Sequence, residues 1–105
     1  MVDEKNDGSS PEHEEDPTLL KVKGDPSKEY VKKLANAALQ VFSKHQLVKL
    51  RGAGASCVNN AEKAFIIARG ELDKKGVELV SRSYFVSIDF DGEEKTGIVK
   101  ELIER

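Results

Sequence analysis

Two glycines, Gly52 and Gly54, stand between a cationic run, Leu47-Val48-Lys49-Leu50-Arg51, and an Ala-rich pattern that begins at Ser56-Cys57-Val58-Asn59-Asn60-Ala61. Glycine lets backbone amides come close to another molecule, and the first turn of a helix offers unpaired N–H groups at the positive end of its dipole. A phosphate or a polyanion is the chemistry such a corner favours. Lys49 and Arg51 before the turn add charge, and Asn59 and Asn60 just after it offer amides for the loop backbone or a phosphate, one of them expected to be structural and the other left open to either role.

Other chemistries are poorly supplied. A dinucleotide motif G-x-G-x-x-G would need a third glycine where Cys57 stands, and the chain is too short for a doubly wound fold. No Gly-Lys-Ser/Thr follows the turn, which removes a phosphate-loop nucleotide site. His13, His45 and the single cysteine, Cys57, have no ligand spacing for a metal. His45, Ser56, Cys57 and Asp73 show no spacing that favours a nucleophilic set, and Cys57 is expected to be a small buried hydrophobe. Glu93 and Glu94 flank a turn and are expected to be solvated edge charge. No catalytic set, cofactor, metal or small-molecule substrate is expected.

The elements that must position this corner come from periodicity. Thr18–Lys23 alternates as a strand, with Leu20 and Val22 on one face and Leu19, Lys21 and Lys23 on the other. Gly24-Asp25-Pro26 supplies a turn, with Asp25 as N-cap and Pro26 in the first turn of a helix reaching about Lys44. Its stripe is Val31, Leu34, Ala35, Ala38, Val41 and Phe42. Leu47–Arg51 forms a second strand. A second helix is predicted from about Ser56, as N-cap, to Gly70, as its stop. Val77–Phe90 is a long extended run, Asp91-Gly92 a hairpin turn, and Glu93–Ile103 the returning strand. The order β-α-β-α-β-β predicts an α/β two-layer sandwich, with two helices on one face of a four-stranded sheet and the other face open.

On that plan Lys21, Lys23, Lys49 and Arg51 share the open face, and they form one patch if the first two strands are neighbours. Arg82 in the third strand could extend it. The net charge of −2 conceals this, because residues 1–17 hold Asp3, Glu4, Asp7, Glu12, Glu14, Glu15 and Asp16 against Lys5 alone. That stretch, with almost nothing to bury, is expected to be a disordered acidic tail, either solubilising or shielding a basic face, ahead of one domain at 18–105. No apolar run is long enough to cross a bilayer and the N-terminus has no signal-type apolar core, so an intracellular, cytoplasmic location is expected.

Several blocks, in order, resemble the stage V sporulation protein S family. They are Gly54-Ala55 with Val58-Asn59-Asn60-Ala61-x-Lys63-Ala64, then Ile67-Ala68-Arg69-Gly70, Gly76-Val77-x-Leu79 and Asp91-Gly92-Glu93-Glu94-x-Thr96-x-Ile98. Leu20-Lys21-Val22 fits as well, and the likeness runs over about residues 19–105. Members usually carry a second glycine where Ser56 stands and an alanine where Cys57 stands, and the stretch around Ser43–Gln46 is longer here. The resemblance implies an Alba-like fold of the order given above. It further implies a dimeric, non-enzymatic regulator that binds DNA or RNA with little sequence discrimination. By that likeness the contacts are Lys21, Lys23, Lys49, Arg51, Gly52, Gly54 and Asn59, with Arg82 and Lys95 on the last hairpin. The alternative is a protein–protein module that docks a partner through the sheet or hairpin without touching nucleic acid.

Overall fold

The alternation of leucine and cation near the start of the chain becomes a short strand, β1 (Leu19–Lys21), and the helical stripe after it becomes α1 (Lys28–His45). There follow β2 (Leu47–Gly52), α2 (Ala55–Asp73), β3 (Leu79–Phe90) and β4 (Glu93–Glu104). This is the expected β-α-β-α-β-β order. The computed structural model describes residues 16–105; residues 1–15, most of the expected disordered tail, lie outside the described residues.

The four strands form one mixed sheet in the order β1-β2-β4-β3. β1 runs parallel to β2, with α1 as the crossover, and the other two pairings are antiparallel. The first two strands are therefore neighbours. Val22, Val48, Leu50, Leu79 and Leu102 pack beneath both helices, which contribute Leu34, Ala35, Ala38, Phe42, Ala61, Ala64, Phe65, Ala68 and Leu72. The small residues on α2 let its axis lie close to the sheet. Lys100 also faces this layer, with Nζ 2.7 Å from Glu62 Oε1 and 5.1 Å from the centre of the Phe65 ring.

Three predicted boundaries are corrected. Ser27, not Asp25, caps α1: its Oγ accepts the Tyr30 N–H at 3.1 Å, while Asp25 Oδ1 accepts the Ser27 N–H at 2.8 Å and shapes the approach. Gly54, not Ser56, is the N-cap of α2, so Ser56 lies inside the helix. Gly70 does not stop α2, which continues to Asp73 because Leu72 in the last turn joins the core. That burial outweighs the roughly 1 kcal/mol a mid-helix glycine costs.

Asp91 and Gly92 both adopt positive φ, 52° and 80°, as a two-residue hairpin turn with matching twist requires. The last pair between β2 and β4 is Gly52 with Ile98, so Glu93–Gly97 of β4 pair only with Val86–Phe90 of β3. The tip is thus a two-stranded arm reaching past the body of the sheet. No helix among the described residues is long and apolar enough to cross a membrane.

Candidate nucleic-acid interface

Register decides what the open face presents. One row across the sheet reads Leu19, Lys49, Glu101, Arg82, and the next reads Lys21, Arg51, Val99, Tyr84. Lys21 and Arg51 thus lie directly side by side at the C-terminal ends of two parallel strands. Arg82 is separated from them by β4.

The first row is not simply basic. Glu101 is 9% exposed and accepts hydrogen bonds from Arg82 Nε and from the Tyr84 hydroxyl, each at 2.9 Å. The Arg82 hydrogen bond, ahead of that from Tyr84, holds the Glu101 carboxyl below its ordinary range. Desolvation, then Glu101 itself, pushes the Tyr84 hydroxyl up. Lys49 Nζ donates to Asp16 Oδ2 at 3.1 Å, which raises the lysine's pKa. The Asp16 carboxyl is lowered, foremost by the Thr18 hydroxyl that donates to it. Lys49 and Arg82, both expected phosphate contacts, therefore each carry a carboxylate. Glu101 escaped the sequence reading because nothing in its own strand says which cation will stand opposite.

The second row opens onto the glycine corner. Lys21, Arg51, Ala53, Cys57, Ile88 and Phe90 contribute to the wall of a cavity of about 210 Å³, where β1 and β2 end and the hairpin arm curls near. Open α/β sheets characteristically take ligands beyond the C-terminal ends of parallel strands. Cys57 is half-buried rather than fully buried, because one side of it packs on the core and the other lines this cavity. The two glycines act differently. A Cβ on Gly52 would sit 2.6 Å from Cys57 Cβ, so this glycine lets the first turn of α2 rest on β2. Gly54 has φ +92° with nothing within 4 Å of a Cβ, so backbone conformation alone demands it. No side chain caps α2, and no acid lies in its first turn, which leaves the positive end of the helix without a built-in anion.

Asn59 is exposed on that first turn. Asn60 is buried, and its Nδ2 donates to the carbonyls of Lys23 and Asp25, both at 2.9 Å, tying the β1–α1 connection to α2. Lys23 lies beyond the end of β1; its N–H donates to the Tyr30 hydroxyl at 2.7 Å, and the residue is exposed. Lys95 stands on the arm with Nζ 5.6 Å from the centre of the Phe90 ring. Lys21, Arg51, Gly52 and Gly54 are thus gathered at one corner, while Lys49, Arg82 and Lys95 are spread along the face and arm.

Ser56 and Asp73 lie near opposite ends of α2, about 25 Å apart, so the Ser/His/Asp grouping does not assemble. Among the described residues no three His, Cys, Asp or Glu side chains form a metal-holding group. The family model described as Stage V sporulation protein S (SpoVS) matches residues 18–105, nearly all of the described chain.

Proposed function

The chain belongs to the stage V sporulation protein S family, and from that premise we propose that this sporulation-related regulatory protein is a non-enzymatic binder of DNA or RNA. The corner formed by Lys21, Arg51 and the Gly52–Gly54 turn takes the phosphate backbone. Lys23, Asn59 and the arm residue Lys95 flank that contact, and Lys49 and Arg82 contribute once phosphate competes with their carboxylates. The observation that carries this reading is the placement of two cations side by side against the uncapped N-terminus of α2. Phosphate contacts of this kind carry little sequence information. The protein acts in the cytoplasm as a homodimer.

Binding to duplex DNA, single-stranded DNA and RNA, measured by anisotropy across a salt series, tests the reading. Kd weakens steeply with salt, and Lys21→Glu with Arg51→Glu weakens binding to all sequences alike. The slope of log K against log salt flattens by roughly 0.7–0.9 for each phosphate that the variant no longer neutralises. Unaltered binding by the double variant removes the corner from the interface. The second reading, a protein-docking module, is favoured by Phe85, 77% exposed on the edge strand β3. It prevails if no nucleic acid binds even at low salt.

A further inference from the structure

The helix layer carries a second feature that the open face does not explain. Between α1 and α2 runs an open groove of about 340 Å³, with Val31, Ile66 and Ile67 as its apolar lining and Lys28, Lys32 and Lys63 around it. Ile66 and Ile67 are 46% and 38% exposed, although a solvated helix face has no need of them. None of the three lysines forms an ion pair among the described residues. Lys28 lies in the first turn of α1, where the helix dipole adds further preference for an anion.

We propose that this groove docks a short acidic, amphipathic helix from a protein partner. An apolar floor with a cationic rim matches a segment that has leucine-type anchors on one face and carboxylates beside them. From Asn60 to Ile67 the groove spans about 10 Å of α2, enough for two turns of a bound helix. Other occupants fit less well. A second copy in a two-fold contact would set three lysines against three lysines. Nucleic acid would bring phosphates but leave the isoleucines facing water. The chain's own segment 1–15 has carboxylates, yet only Met1 and Val2 could fill an apolar floor. The groove lies on the helix side of the sheet, opposite the open face proposed for nucleic acid.

The probe is a fluorescent 14-residue peptide with leucines at helical spacing and glutamates elsewhere, titrated into the full chain. Saturable binding is expected, weakening with salt. Ile67→Glu and, separately, Lys28→Glu with Lys63→Glu each raise Kd by about tenfold or more. Circular dichroism checks that these exposed substitutions leave the fold intact. A peptide of the same composition with scrambled leucines binds at least tenfold more weakly. Equal binding by wild type and both variants overturns the proposal, as does equal binding of the scrambled peptide. Self-association that disappears in Ile67→Glu, with no peptide bound, would assign the groove to a second copy and likewise overturn it.

Discussion

Glu101 shows how one residue changes the meaning of its neighbours. Arg82 and Tyr84 donate to its carboxylate and hold its pKa down in the folded state. A depressed folded pKa means a contribution that is complete above the unfolded value of about 4.3 and lost as pH falls through the folded value. Thermal unfolding followed between pH 7 and 3 therefore loses stability on the acid side. In Glu101→Gln the stability at pH 7 is lower by about 1 kcal/mol, and the acid limb is flatter. Coincident curves for the two proteins would mean that the Arg82–Glu101–Tyr84 group contributes nothing to folding. The sequence marked Lys49 and Arg82 correctly as face residues, but their carboxylate partners lie 33 and 19 positions away in the chain. Such separations leave no periodic trace.

At the scale of elements, the predicted order and types hold, and the errors fall at ends. Ser27 takes the cap from Asp25, and α2 passes through Gly70, because a hydroxyl at the right spacing and a buried Leu72 outweigh local propensity. Asp91-Gly92 was legible as a hairpin because two residues with positive φ restrict the choice of amino acid. Strand order was not, so the sequence could not tell that Val86–Gly97 would protrude as a two-stranded arm. Two strands without a third are only marginally stable in water. In native-state hydrogen exchange, amides of Ser87–Thr96 should exchange faster than those of Val99–Leu102, which are held between two strands. Equal protection along all of β4 would show that the arm is fixed by contacts beyond its own ladder.

For the whole molecule, the question is how an acidic segment and a basic face share one chain. Asp16, the last acid of the N-terminal run, is ion-paired to Lys49 on the open face. The six acids before it, Asp3 to Glu15, directly precede that ion-paired residue in the chain. A tethered polyanion competes with nucleic acid at high effective concentration, and salt screens that competition. Deleting residues 1–15 is expected to tighten nucleic-acid binding severalfold at low salt, with the gain shrinking as salt rises. Asp16→Asn in the full chain separates the effect of the single ion pair from that of the charge run. Identical Kd values with and without residues 1–15 would reduce that stretch to a solubilising leader.

The sequence by itself determined the elements, their order, the apolar layer and the residues of the glycine corner. Period, turn chemistry and the space a Cβ needs are local constraints, written within a few positions of one another. Only the tertiary structure decided that Lys49 and Arg82 would each meet an acid. It also decided which asparagine holds the fold and where an apolar groove opens between the helices. Those outcomes depend on register and on packing between distant segments. A shift of one residue in β4 would have placed Lys100, not Glu101, on the open face.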